Sequence, residues 1–324
     1  MAVLGDLHVL ESSFWVKARL RCYCLAMRIG LVVNPVAGGN RGAQVGVEVL
    51  SLLSQSGHSV ENLSGANLLE ARANAEAAIG VNSIDALVVV GGDGIAHLGT
   101  NLCAGKNIPM AIIPAGTGND AAAMIGMPLT NTAESVRVVL EGLSSPKKID
   151  AIKVSHGGKV TWALGSASAG FDALAAARAN AISWPKGPMR YYVAMLLELA
   201  KFKPIKYQSV VDGSPRDFEA MLCVVSNTGI YGGGMLVVPG ASVTDAKLDV
   251  LLVKKMSRLK FVTIFPRVYK GTHITDKDVE IFKASKISIT ASGMPIYSDG
   301  EYVGQAPFEA EVVPGALMMV APAI

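Results

Sequence analysis

Three short stretches set glycines beside groups that can handle phosphate and metal: Asn34 to Gly39 (NPVAGG), Gly91 to Gly94 (GGDG) and Pro114 to Asp120 (PAGTGND). Glycine lets a backbone approach a ligand closely and adopt positive φ, and free amides next to a helix start suit phosphate oxygens. Asp93, inside the second stretch, is a poor phosphate contact by itself. Beside phosphates its charge must be neutralised, and a magnesium ion bridging carboxylate and phosphate does so. Alone, GGDG reads equally well as a tight strand-to-helix turn capped by Asp93. Three such loops, each closing an apolar strand, point to one nucleotide site, because successive strands of a doubly wound sheet end on one edge. The Walker pattern GxxxxGK[ST] is absent, and His97 and Ala121 stand where GxGxxG needs its last glycine. An ordinary P-loop or dinucleotide fold is therefore disfavoured.

The elements that must position these loops are legible in the pattern. From Met27 to about Ser144 the strands RIGLVV, a short one around Val60, IDALVVV and MAIIPA alternate with helices near 41–55, 67–78, after Gly94, and near Asn119 and Thr132. The strands are continuous apolar runs, as in a parallel sheet covered on both faces. Beyond Lys147 the texture turns β-rich (KIDAIKV, VTWALGSAS, FEAMLCVVSN, KLDVLLV), broken by one helical pair at 172–182 and 189–202. The fold expected is α/β in two domains, a doubly wound one at 27–146 and a β-rich sandwich at 147–313. SSPKK (144–148) reads as the linker. The last strand, near Ala316 to Val320, is expected to return to the first domain, so that 314–324 completes it.

Bulk properties exclude several functions. A net charge of +3 over 324 residues is too mild for nucleic acid. Four cysteines, Cys22, Cys24, Cys103 and Cys223, form neither a CxxC pair nor a disulfide framework, which fits a reducing cytoplasm. Although 51% of residues are hydrophobic, no uninterrupted apolar run reaches the roughly 18 residues of a membrane span. Residues 1–26 interleave Lys17, Arg19 and Arg21 with apolar residues, unlike a signal peptide, and Met27 directly precedes the first convincing strand. They read as a leader or an early-assigned start.

Taken in order, NP.AGG, GGDG, GTGND, KID, SAGFDA, GGGM...PGASVTDAKLDV and SDGE resemble bacterial diacylglycerol-kinase-like lipid kinases of the YegS and DgkB type, relatives of sphingosine kinases and NAD kinases. The resemblance implies an NAD kinase-like first domain and a set of roles. Asp299 and Glu301 of SDGE match carboxylates that take the proton from the lipid hydroxyl. Asp93, Asp120 and Asp150 match an acidic network around the catalytic magnesium. Asn34, Ser64, Gly91, Gly92, Gly94 and Thr117 match the ATP site, and Asp245, with backbone carbonyls near Ser242 and Lys247, matches a second, structural magnesium site. Taken alone, YSDGE is more simply a hairpin turn of the Asp-Gly kind.

The chain departs from the family pattern at Ile95, Leu98, Ala121 and Ala246, where threonine, glutamate, phenylalanine and glycine are usual. Ile95 cannot give a phosphate the hydroxyl that threonine would. His97, on the first turn of a helix, reads as a packing or capping residue before a phosphate contact, and Arg41 as a solvated helix-start residue or an anion contact. In MRYYVAMLLELAKF the residues Tyr191, Tyr192, Leu196 and Leu199 form an apolar face flanked by Arg190, Lys201 and Lys203, suited to core packing or to an acyl groove.

The activity implied is magnesium-dependent transfer of the ATP γ-phosphate to a lipid hydroxyl, most simply diacylglycerol giving phosphatidic acid. A NAD kinase-like small-molecule kinase and a catalytically silent lipid-binding protein are the alternatives. Expected partners are ATP, the lipid, a peripheral contact with the inner face of the membrane and a second copy in a homodimer, without nucleic acid.

Overall fold

The computed structural model describes residues 26–184, 188–201 and 203–322, so the leader read at 1–26 lies, but for its last residue, outside the described residues. Four parallel strands form the first sheet, in the order Ser59–Asn62, Arg28–Val33, Ala86–Gly91, Pro109–Pro114. Every residue of Ala86–Gly91 and Pro109–Pro114 is buried, because helices cover both faces. Side chains such as Leu31, Leu87, Ile112 and Ile113 are sealed from solvent, each contributing about 1.5–3 kcal/mol by burial. Caps fix where the covering helices begin: Asn67 accepts from the Glu70 amide and Asn131 from the Glu134 amide. In the stretch Ala37–Gln55, Gly38, Gly39 and Asn40 all have positive φ, so regular helix starts near Arg41, as the sequence indicates.

The final strand, Phe308–Val320, does return to the first domain, pairing parallel with Pro109–Pro114 through Met318 to Val320. It is longer than expected and runs through both domains, its earlier half pairing antiparallel with Lys286–Thr290. Lys147 and Lys148 are not linker. They open the strand Lys147–His156, which pairs antiparallel with Phe308–Val320 from Met319 back to Glu309. Two hydrogen-bonded strands thus join the domains, which fixes the cleft between them more firmly than a free linker would.

The second domain is antiparallel, built around Phe218–Ser226, Leu248–Lys254 and Val279–Ala284, with its own core of Ile152, Val225, Val250, Ile287 and Phe308. VTWALGSAS divides into two strands, Lys159–Ala163 and Ser166–Ser168. The break at Leu164 and Gly165 turns their amides toward the cleft. YSDGE is a two-residue hairpin between Pro295–Ser298 and Glu301–Gln305, with φ of 49° at Asp299 and 83° at Gly300, the signs a type I′ turn requires. The helical pair forms as Phe171–Ala181 and Pro188–Lys201. On the second helix Ala194, Met195 and Leu199 are buried, whereas Leu196 points to solvent, which shifts the packed face from the one expected. The side chains of Tyr191 and Tyr192 lie outside the described residues. Among the described residues no helix is long and apolar enough to cross a membrane.

Candidate active site

The three glycine loops meet at the carboxyl edge of the parallel sheet. A Cβ placed on Gly116 would lie 2.4 Å from Cα of Gly92, one on Gly38 would lie 2.4 Å from the Ala115 carbonyl oxygen, and one on Gly91 would lie 3.2 Å from Cβ of Asn34. Only glycine lets the loops pack this closely. The helix Asp93–Cys103 starts in the second loop, and its first amides, at Asp93 and Gly94, fall outside the intrahelical ladder. Such amides suit an anion, with the positive end of the helix behind them.

A cleft of about 320 Å³ opens beside this edge, lined by Asp93, Gly94, His97 and Asp120 from the first domain and by Asp299 and Glu301 from the second. The structure therefore gathers five of the residues singled out by sequence: Asp93, Gly94, Asp120, Asp299 and Glu301. Asp93 Oδ1 accepts from the Ala121 amide at 3.0 Å. Burial holds the Asp93 carboxyl above the ordinary carboxylate range, and the neighbouring charges of Asp120 and Asp299 push the same way against the pull of the Ala121 amide. Asp120 reaches across the cleft to the amides of Gly233 (2.6 Å) and Gly234 (2.8 Å). Asp299 accepts from three amides, Leu164 at 2.8 Å, Gly165 at 2.8 Å and Ser166 at 2.9 Å. Glu301 closes on the helix start, its Oε1 within 2.9 Å of where a Gly94 Cβ would stand.

Four carboxylates in one cleft call for a cation. Among the described residues no three His, Cys, Asp or Glu side chains converge on a preformed metal site. Asp93 and Asp120 suit magnesium of the kind held by one or two carboxylates, with phosphate oxygens and water completing the shell.

One expectation requires correction. Asp150 is buried and does not line the cleft: its oxygens accept from the amides of Ala246 at 2.8 Å and Gly315 at 2.9 Å, clasping the strand Lys147–His156 to two loops. Around the Ser242, Asp245 and Lys247 loop, Asp245 accepts from the Lys247 amide at 3.0 Å and pairs with the Lys283 ammonium at 2.8 Å. That ammonium also meets Asp249 at 3.1 Å, so one lysine is shared by two carboxylates. Ser64 is a peg under the first strand, its hydroxyl accepting from the Val33 amide at 2.9 Å. Asn34, Gly91, Gly92 and Thr117 lie on the loops beside the cleft rather than in its wall. Ile95 and Leu98 are buried beneath the helix start, so neither departure from the usual pattern alters the cleft surface.

His97, read from sequence as a packing or capping residue, lines the cleft with its Nδ1 3.4 Å from Asp299 Oδ2. The available signal was spacing: His97 follows Asp93 by four residues and shares its helix face.

Comparison with known proteins decides the family. Residues 28–154 match the diacylglycerol kinase catalytic domain, and residues 165–321 match the YegS C-terminal NAD kinase beta sandwich-like domain. A diacylglycerol kinase of Mycobacterium tuberculosis is 33% identical over 296 residues, covering 91% of this chain and 95% of that protein. The chain belongs to the diacylglycerol kinase family. This lipid kinase also resembles the diacylglycerol kinase of Bacillus subtilis, at 26% identity over 87% of this chain and 92% of that one. A crystal structure of a diacylglycerol kinase from Bacillus anthracis shares its fold, with a TM-score of 0.68, 22% identity and coverage of 91% and 97%. Membership gives the reaction class, transfer of a phosphoryl group to a hydroxyl acceptor, and the cleft holds acids and amides of the kind that such a reaction calls for.

Proposed function

We propose that this lipid kinase transfers the γ-phosphate of ATP, with magnesium, to the hydroxyl of diacylglycerol, giving phosphatidic acid. The observation that carries this reading is that the acidic cleft shares Tyr231 with a second, apolar cavity lined by Phe171, Met195, Leu222, Val253 and Phe261. Aliphatic and aromatic walls match an acyl chain and offer little to a polar acceptor such as NAD. Free space there is about 70 Å³, a couple of water molecules' worth. A chain therefore enters by displacing side chains, and Met195 and Met235 give way most easily. Tyr231 stands between the two cavities with its hydroxyl donating to the buried Asp172 at 2.9 Å.

In this reading the helix-start amides at Asp93 and Gly94 receive phosphate oxygens, and Asn34, Gly91, Gly92 and Thr117 border the triphosphate. Asp93 and Asp120 hold the magnesium, which neutralises the phosphate charge when bound. The Asp299–Gly300 hairpin brings Asp299 and Glu301 against the acceptor end of the cleft. Most of the catalysis is positioning and charge compensation, as phosphoryl transfer requires.

The lipid has to be met at a membrane, on its cytoplasmic face where ATP is found. Around the helical pair Trp184, Met189, Leu196 and Leu197 are exposed, Trp184 by 82%, with Lys201 nearby. Met195, on the same helix, lines the apolar cavity. A peripheral contact there would set the cavity mouth at the bilayer surface.

The test is transfer from radiolabelled ATP to diacylglycerol, phosphatidylglycerol, sphingosine and NAD. Labelled phosphatidic acid is expected. Labelling of NAD alone would remove the lipid reading.

A further inference from the structure

Four carboxylates line the cleft, Asp93, Asp120, Asp299 and Glu301, and among the described residues of its wall one side chain carries a permanent positive charge, Arg190. A guanidinium so placed would ordinarily pair with an acid. Here the acids are engaged elsewhere. Asp120 accepts from the amides of Gly233 and Gly234, Asp299 from those of Leu164, Gly165 and Ser166, and Asp93 from that of Ala121. Glu198, on the same helix as Arg190, pairs with Arg178 of the preceding helix. Arg190 is left half-buried, with neither an ion pair nor a hydrogen bond among the described residues.

Stability does not select that position. Arg190 is the third residue of the helix Pro188–Lys201 and stands in its first turn, which holds no acid. The positive end of a helix disfavours a cation there. Helix start and guanidinium thus add their positive potential at one lip of the cleft, and an anion relieves both. The wall beside this lip is made of small side chains, Ala176 and Ala179, which leave an anion room. The first domain contributes to the same cleft the open helix-start amides at Asp93 and Gly94. An anion between the domains is therefore met by amides from one side and by a planar fork of donors from the other.

We infer that Arg190 grips the γ-phosphoryl group as it is transferred, an inference that rests on the phosphoryl-transfer reading above. In the step, a lone pair of the acceptor oxygen forms the new bond to the γ-phosphorus. The bond from that phosphorus to the β–γ bridging oxygen breaks, its electrons leaving with ADP, and the hydroxyl proton passes to a carboxylate at the acceptor end of the cleft. The three other oxygens of the group stay negative while it is held only loosely by donor and acceptor. A guanidinium offers two of them a pair of parallel hydrogen bonds at that point.

The test measures kcat and KM for Arg190→Ala and Arg190→Lys on diacylglycerol in neutral mixed micelles, with ADP affinity by calorimetry and melting temperatures. Arg190→Ala should lose about 100-fold or more in kcat, with KM for diacylglycerol within about threefold. Its ADP affinity should hold, because ADP lacks the transferred group, and it should melt no lower than wild type, because a cation has left the first turn. Arg190→Lys should lose at least about tenfold in kcat, since an ammonium lacks the fork. Added guanidine, kept far below denaturing concentrations, should restore activity to Arg190→Ala and leave wild type unchanged. A loss in kcat under about threefold in Arg190→Ala overturns the inference, as does a loss that guanidine does not relieve. A higher KM for diacylglycerol at unchanged kcat also overturns it, placing Arg190 on a lipid headgroup, and a parallel loss of ADP affinity does so by placing it on the other phosphates. Where Arg190→Ala melts well below wild type, Arg190→Lys decides, and wild-type kcat in that variant overturns the inference. A wild-type protein that phosphorylates no lipid overturns the underlying function and the inference with it, so the two failures are distinguishable.

Discussion

The two walls of the cleft use the same backbone group in opposite ways. In the first domain, glycine loops and a helix start leave amides open toward the cleft. In the second, amides are spent on carboxylates: Leu164, Gly165 and Ser166 on Asp299, and Gly233 and Gly234 on Asp120. The first arrangement recruits an anion from outside, and the second fixes anions belonging to the protein. A site for a triphosphate and an alcohol needs both, since open amides grip the donor while pinned acids keep their geometry when charge shifts.

Asp299→Asn should break the second wall most severely. An asparagine offers one oxygen where two carboxylate oxygens accept, so its NH₂ must face either the Leu164 amide or the Gly165 and Ser166 pair. Turnover should fall by at least about 100-fold, because the acceptor end of the cleft loses the charge that the three amides hold in place. An unpaired amide costing roughly 1–3 kcal/mol should also lower the melting temperature. Activity within tenfold of wild type would show that the pinned acid is ornamental.

Asp93→Asn probes the first wall and should separate activity from stability. Burial raises the Asp93 carboxyl, so the fold prefers it protonated. Its favourable contribution is complete below the ordinary carboxylate range and is lost as pH rises through the raised value. At pH 7 to 8 the ionised side chain is therefore a burden that asparagine lacks, and Asn Oδ1 can still accept from the Ala121 amide. Expected are a fall of about 100-fold or more in kcat/KM and a higher melting temperature than wild type near neutrality. The gap should close toward pH 4, and a variant less stable than wild type at every pH would refute the assignment.

The walls were unequally legible in the sequence, for a physical reason. Open amides need glycine and a helix start, which leave a mark in residue type and spacing, and buried parallel strands leave continuous apolar runs. A pinned carboxylate needs only main-chain N–H groups, which every residue but proline supplies. Nothing about Leu164 or Ser166 announces that it holds Asp299. For the same reason Asp150, bound to two amides, looks in sequence like the acids that face the cleft. Lys283 was invisible from Asp245, because the antiparallel register that sets Lys283 opposite Asp249 spans more than thirty residues of chain. His97 was visible by spacing, but its partner lies two hundred residues away.

A smaller effect concerns where the second wall meets its lipid. Leu196→Glu combined with Leu197→Glu changes exposed positions, so the fold should stand. Flotation with anionic vesicles should drop several-fold, and turnover on a short-chain, micelle-dispersed diacylglycerol should stay within about twofold. Loss of both together would place these leucines in folding rather than in membrane contact.

The smallest effect tests whether pinning an acid carries a conformational cost. The Ala246 amide reaches Asp150 only because Ala246 adopts φ of 57°, a left-handed conformation costing a residue with a Cβ roughly 1–2 kcal/mol. Glycine would adopt it without that strain, while its greater freedom in the unfolded chain takes back part of the gain. Ala246→Gly should therefore raise the stability by a fraction of about 1 kcal/mol and leave kcat unchanged, since Asp150 lies outside the cleft. A loss of activity without loss of stability would return Asp150 to the catalytic network, from which its two amide partners now separate it.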